Sequence, residues 1–146
     1  MIRTILVVED EHDLAATCQR VLSRRGWNVV LAASREAAVT LLCHRPRPEL
    51  AIVDRRLPDG DGVDVLRAAA AFGIPVIVVT GYQTAATRRL TLGEGAAGFL
   101  AKPFSLHELV EMVRRIVGDA AELAPGVPPS SVPPPPPGAH RFGLYC

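Results

Sequence analysis

Apolar residues fall along this chain in blocks whose period switches back and forth. "TILVV" (4–8) is an unbroken apolar run, rich in β-branched side chains, that ends in the acids of "EDE". Such a run predicts a strand buried on both faces. Over residues 12–25 the period becomes helical: Leu14, Cys18, Val21 and Leu22 share one face, and Gly26 stops the helix. The alternation then repeats. "WNVVLA" (27–32) predicts a strand, and 35–44 a helix with Ser34 as its cap and Ala37, Ala38, Leu41 and Leu42 as its stripe. "ELAIVD" (49–54) predicts a strand ending on Asp54, and 62–72 a helix. "VIVVT" (76–80), opened by Pro75, predicts a fourth strand, 83–93 a helix, and "AGFLA" (97–101) a fifth strand. The last helix starts at a Ser105 cap, with Glu108 three residues on as in a capping box, and runs to about Val117.

Five strands alternating with five helices predict an α/β fold: a doubly wound, five-stranded parallel sheet covered on both faces, because βαβ crossovers are right-handed. The pattern ends near residue 122. From Leu123 onward the only charged residue is Arg141, and eight of the thirteen prolines lie in "PGVPPSSVPPPPPG". Proline has no backbone donor and a fixed φ, so residues 122–146 read as an unpacked, proline-rich C-terminal tail or linker, and 1–121 as the folded domain. The formal net charge of +1 sets up no strong field for nucleic acid or anionic membrane. "ILVV" is too short to span a bilayer, and the acids after it do not read as a signal peptide. Cys18, Cys43 and Cys146 form no CxxC pair, which predicts reduced thiols, no zinc site and a cytoplasmic protein.

In an open parallel sheet the functional crevice lies beyond the carboxyl ends of the strands. The first strand ends in Glu9, Asp10 and Glu11, the third in Asp54, the fourth in Thr80 followed by Gly81, and the fifth in Lys102 and Pro103. Lys102 is the one lysine among sixteen basic residues. Several carboxylates in one cleft repel, and a hard cation removes the conflict. Magnesium takes oxygen ligands, one or two carboxylates and a phosphate oxygen, so Asp10 and Asp54 are candidate Mg²⁺ ligands, with Glu9 acting through a bound water. The same set suffices for phosphoryl transfer onto an aspartate, with an ammonium and a hydroxyl placed for the transferring oxygens. A lysine serves as a compact point charge there, where an arginine fork grips a carboxylate bidentately.

"VVEDE", "DRRLPDGDG", "VTGY" and "GAAGFLAKPF", in that order, resemble the receiver domain of two-component response regulators, over residues 3 to about 120. The resemblance implies a flavodoxin-like fold, Mg²⁺ as cofactor, Asp54 as phosphoacceptor with Pro58 and Gly62 at the usual offsets, and Glu9–Asp10 as the metal-binding acids. It implies Thr80 as the switch hydroxyl, Lys102 as the phosphate-binding lysine, Pro103 as a cis-proline candidate and Phe99 as the aromatic switch. It also implies the backbone carbonyl of Arg56 as a further metal ligand. The implied function is a phosphorylation-controlled switch, not an enzyme beyond assisting its own phosphorylation and dephosphorylation. Its partners are a sensor histidine kinase or histidine phosphotransfer protein, and a downstream protein reached through the face of the fourth helix, fifth strand and last helix. No direct nucleic-acid or membrane contact is implied, and a phosphorylation-dependent homodimer is allowed. The chain is either a single-domain regulator or the amino-terminal receiver of a longer one. Arg56 and Tyr82 stand at the variable positions flanking the phosphoryl site, Phe99 lacks a phenol hydroxyl, and Thr91 stands where a small residue is common.

Plainer readings exist for single motifs. Glu9, Asp10 and Glu11 alone read as solvated acids opening a helix. "DGDGVD" (59–64) hints at a calcium loop but has Val63 and Asp64 where a ligand and a glycine are needed, and reads as a turn plus helix cap. His12 reads as a surface helix residue, Trp27 as a strand anchor at the core edge, and Arg24–Arg25, Arg88–Arg89 and Arg114–Arg115 as solvated faces. The rival function is a small phosphotransferase or phosphatase with an aspartyl-phosphate intermediate. It needs an acid two residues after the nucleophile, where Arg56 stands. A nucleotide-binding module needs a glycine-rich phosphate loop after the first strand, and none is present.

Overall fold

The structure, a computed structural model, describes residues 3–81, 89, 93 and 95–118. In chain order the elements are β1 (Thr4–Val8), α1 (His12–Arg24), β2 (Asn28–Ala32), α2 (Arg35–Cys43), β3 (Leu50–Asp54), β4 (Arg56–Leu57), β5 (Gly60–Asp61), α3 (Val63–Ala71), β6 (Val76–Thr80), β7 (Gly98–Ala101) and, as α4 here, the helix Leu106–Val117. The expected helix over 83–93, with Tyr82 and Thr91, lies outside the described residues except for Arg89 and Gly93, both helical. The proline-rich segment also lies outside them.

Five strands form one parallel sheet in the order β2-β1-β3-β6-β7. This is the doubly wound order in which the chain reverses direction between β1 and β3, which puts a crevice at their carboxyl ends. Alternate strand residues serve two cores. Ile5, Val7, Leu50, Ile52, Ile77, Val79 and Leu100 face α1 and α4, with Leu22, Trp27, Leu109 and Val113. Leu6, Val8, Ala51, Val53, Val76 and Val78 face α2 and α3, where Ala38, Leu42, Leu66, Ala68 and Ala69 fill the space. Each buried Leu, Ile or Val contributes about 1.5–3 kcal/mol by leaving water.

The caps follow the sequence. Ser34 Oγ accepts the Ala37 N–H (3.1 Å) and Ser105 Oγ the Glu108 N–H (3.0 Å). Gly26, at φ +96°, ends α1 with its N–H on the Ser23 carbonyl (3.0 Å). Trp27 is buried but precedes β2, because its N–H turns back to the Leu22 carbonyl (3.4 Å) and so stays out of the ladder. A small antiparallel ladder, Arg56 with Asp61 and Leu57 with Gly60, was not anticipated from the sequence. It forms because "PDG" makes a tight turn between residues that pair across it. Among the cysteines, Cys18 is free and buried, whereas Cys43 is disulfide-bonded. The reduced-thiol expectation fails for Cys43, since the lack of a CxxC pair excludes only one local arrangement of thiols. Among the described residues no helix is long and apolar enough to cross a membrane.

Candidate functional site

Three strand ends deliver the site. Val8 is in register with Val53, and Asp54 with Val79, so Glu9 and Asp54 emerge side by side at the reversal point. Glu9 follows the α1/α4 parity of Ile5 and Val7, and Asp54 that of Leu50 and Ile52. Lys102 follows β7, and its N–H donates to the Thr80 carbonyl (2.8 Å), which fixes the lysine beside the end of β6. The Lys102–Pro103 bond is cis, as the sequence reading anticipated.

The side chains then converge. Lys102 Nζ donates to Glu9 Oε1 (2.9 Å), Glu9 Oε2 (3.2 Å) and Asp54 Oδ2 (2.9 Å). Residues 93 positions apart in the chain thus share one hydrogen-bonded cluster. Glu9, Asp54 and Thr80 are buried polar residues at 6%, 6% and 1% exposure, and Asp10 is exposed. Glu9, Asp10 and Asp54 each offer a carboxylate oxygen within 4.8 Å of the others, a hard-oxygen set suited to a divalent cation. Among the described residues one ammonium, Lys102, is bonded to two buried acids. Burial and the neighbouring Asp54 carboxylate push the Glu9 carboxyl up to about 7, against the opposing pull of Lys102. For Lys102, burial disfavours the charge, but hydrogen bonds to Asp54 and Glu9 outweigh it and raise the pKa.

The loop after β3 presents Asp54. The Arg56 N–H donates to Asp54 Oδ1 (3.1 Å), and the Gly62 N–H to the Arg55 carbonyl (2.8 Å). A Cβ at Gly62 would lie 2.3 Å from the Asp54 carbonyl oxygen, 2.9 Å from Val53 Cγ1 and 3.1 Å from Arg55 Cα. Only glycine lets α3 start this close to the strand that carries Asp54. A Cβ at Gly81 would meet nothing within 4 Å among the described residues, so of these two glycines the steric need sits at Gly62. Phe99 is half-buried on β7, on the opposite parity from Leu100. His12 is an exposed first residue of α1, and Arg114 pairs with Glu111 (3.1 Å) on α4. Sequence reasoning missed Asp59, which caps α2 from the hairpin turn. The partners lie 23 and 24 positions away, so no local pattern signalled this contact.

A doubly wound sheet with buried acids and one lysine at its β1/β3 reversal defines a class of protein: an α/β domain with an acidic, cation-suited pocket. The sequence profile of the response regulator receiver domain matches residues 5–114, and this chain belongs to that family. TcrX of Mycobacterium tuberculosis is 34% identical over 116 residues, 78% of this chain and 49% of its own length. The response regulator MprA of Mycobacterium leprae is 33% identical over 125 residues, 81% of this chain and 54% of its own. The chain thus spans about half the length of these curated relatives. Among solved structures, the non-phosphorylated HemR receiver domain of Leptospira biflexa superposes with a TM-score of 0.71 at 32% identity, covering 78% of this chain and 93% of that one. A CheY-like receiver domain protein of Methanospirillum hungatei JF-1 gives 0.74 at 25% identity, covering 85% of this chain and 100% of the other.

Proposed function

We propose that this receiver domain accepts a phosphoryl group on Asp54 from a sensor histidine kinase or histidine phosphotransfer protein in the cytoplasm. The observation that carries the reading is the hydrogen bond from Lys102 Nζ to Asp54 Oδ2 (2.9 Å), at the buried end of β3 and beside Glu9. An Asp54 carboxylate oxygen attacks phosphorus, the bond to the donor nitrogen breaks, and its electron pair stays with the imidazole. The Arg56 N–H holds the other Asp54 oxygen during attack. Asp10, Asp54 and the Arg56 carbonyl would hold Mg²⁺, and Glu9 would bind it through water. Mg²⁺ supplies charge neutralisation for the phosphoryl oxygens. Lys102 exchanges its bond to Asp54 for one to a phosphoryl oxygen, and the Thr80 hydroxyl takes another.

Output follows by population shift. Thr80 is drawn toward the phosphoryl group, Phe99 turns into the released space, and the face that β7 and α4 make with the expected helix over 83–93 repacks toward a downstream protein or a second copy. Two charge-assisted hydrogen bonds supply a few kcal/mol of differential binding, enough to move the population strongly. The switch assists its own phosphorylation and dephosphorylation and catalyses nothing else. An aspartyl-phosphate phosphatase would need an acid at position 56, and Arg56 stands there.

The test is incubation with a small phosphodonor and Mg²⁺, read by intact mass. One added phosphoryl group is expected in the parent and none in Asp54→Asn, whose amide is nearly isosteric. Full labelling of the asparagine variant would reject Asp54 as the acceptor.

A further inference from the structure

We propose that Asp59 is a positioning residue for the metal-binding loop: it pins the β4–β5 hairpin to the start of α2 and so holds the Arg56 backbone against the carboxylate cluster. The proposal rests on the metal-site reading given above. Arg56 opens β4, and its N–H donates to Asp54 Oδ1 (3.1 Å), so the place of β4 decides how Asp54 is presented. The hairpin is two residue pairs long, too short to hold itself. It is anchored at its tip. Asp59 Oδ1 accepts the Arg35 N–H (2.7 Å) and Oδ2 the Glu36 N–H (2.9 Å). These belong to the N–H groups a helix start leaves unpaired, where its dipole also favours an anion. The bonds from Glu36 and Arg35 hold the Asp59 carboxyl below the usual carboxylate range.

The Arg35 side chain adds a second clamp. Its Nη1 donates to Asp64 Oδ2 on α3 (2.6 Å), and its guanidinium passes over the hairpin at Gly60, where a Cβ would meet Nε at 3.2 Å. Meanwhile Ser34 caps α2 through the Ala37 N–H without help from Asp59. Asp59 therefore contributes to α2 something beyond a cap: a fixed point on which the loop of the phosphorylation site hangs.

Calorimetric Mg²⁺ titrations of the full chain test this, with amide hydrogen exchange of Arg56 in the metal-free protein as the second readout. Asp59→Ala is expected to weaken Mg²⁺ binding roughly ten-fold, the low end of what losing a ligand's supporting partners costs a metal site, and to speed Arg56 exchange. Ser34→Ala weakens α2 without touching the hairpin and is expected to leave both readouts unchanged. Asp59→Asn turns one of the two acceptors into a donor, is expected to fall between, and serves if the alanine variant does not fold. Parent-like Mg²⁺ affinity and Arg56 exchange in the Asp59 variants overturn the proposal. An equal loss in Ser34→Ala also overturns it, because the effect is then one of helix stability. A parent chain that binds no Mg²⁺ overturns the metal reading and this proposal with it, whereas a parent that binds while the Asp59 variants match it overturns the proposal alone.

Discussion

At the carboxyl end of the sheet one ammonium, Lys102, faces the carboxylates of Glu9 and Asp54. At the amino end one guanidinium, Arg3, faces one carboxylate, Glu49 (3.4 Å), and donates to the carbonyl of Val117 in the last turn of α4. The amino end is balanced: a cation meets an acid and the negative end of a helix dipole. The carboxyl end carries surplus negative charge in a buried place, and Glu9 responds by holding its proton up to about pH 7. Burying unbalanced charge costs stability and perturbs pKa values, a pattern that gathers at functional sites. Both ends tie distant chain segments together, but these side-chain bonds set one cation against two acids at the carboxyl end and one against one at the amino end.

The comparison is broken most severely by removing each end's cation. Lys102→Met should slow phosphodonor labelling of Asp54 by about a hundred-fold, the scale of losing one preorganised electrostatic contact to a transition state. Arg3→Met should label at the parent rate. Similar losses in the two variants would show that the ends are not functionally distinct. Lys102→Arg keeps the charge but not its compactness, and is expected to bind Mg²⁺ and be labelled. It should fail to shift the amides of Thr80 and Phe99 when beryllofluoride, standing in for the phosphoryl group, is added.

Steric demand at the carboxyl end is equally uneven. Gly62→Ala forces a Cβ to within 2.3 Å of the Asp54 carbonyl oxygen, a backbone atom that cannot swing away. Urea unfolding should show a loss of about 1–3 kcal/mol, as for overpacked sites, and labelling should fall with it. Gly81→Ala meets open space and should stay within about 0.5 kcal/mol of the parent. Equal effects would mean that Gly62 does not hold the loop.

Much of this was legible in the sequence. The apolar runs predicted the five sheet strands to within a residue or so, because strands covered on both faces leave no polar alternation to misread. Glu9, Asp54, Thr80 and Lys102 were legible for a related reason: a polar residue that ends an apolar run is carried to the rim of the sheet. The hairpin was not, since two pairs of residues leave no periodicity, and neither were the bonds from Asp59 to α2 or from Arg3 to Val117. Those join segments whose neighbourhood is set by the winding of the sheet, which a one-dimensional pattern does not display. Gly62 and Gly81 look alike in sequence, and only the path of β3 distinguishes them.

The imbalance also predicts how stability follows pH. The folded pKa of Glu9 lies near 7, above its ordinary value of 4.5, so the folded metal-free protein binds more protons than the unfolded chain between those limits. Stability must therefore fall as pH rises through that window. Lys102 has its folded pKa raised above 10.5, so its contribution is present throughout the window and does not offset the trend. Thermal unfolding with chelator should show the decline, and Glu9→Gln should flatten it. Since Mg²⁺ favours the ionised acids, the stabilisation it gives should grow with pH. A metal-free protein whose midpoint is flat or rises across the window would contradict the surplus-charge reading.

The smallest effect belongs to the amino end and serves as the control for the rest. Arg3 pairs with Glu49, whose side chain is 42% exposed, so solvent screens the pair and its share is about 0–1 kcal/mol. The bond to the Val117 carbonyl is part-buried, comes from a charged donor and meets the negative end of the α4 dipole, which together add about 1 kcal/mol. Arg3→Met should thus cost roughly 1–2 kcal/mol. In a double-mutant cycle with Glu49→Gln the coupling should stay under about 1 kcal/mol and shrink with added salt. The helix bond should be left as the larger share, visible as faster hydrogen exchange in the last turn of α4. Mg²⁺ affinity should not change, because the nearest acid of the carboxyl cluster lies a full strand length away along β1. A coupling well above that bound, or a Mg²⁺ affinity that moves with Arg3, would mean that balanced charge at one end of the sheet is felt as charge at the other, and the division between the two ends would fail.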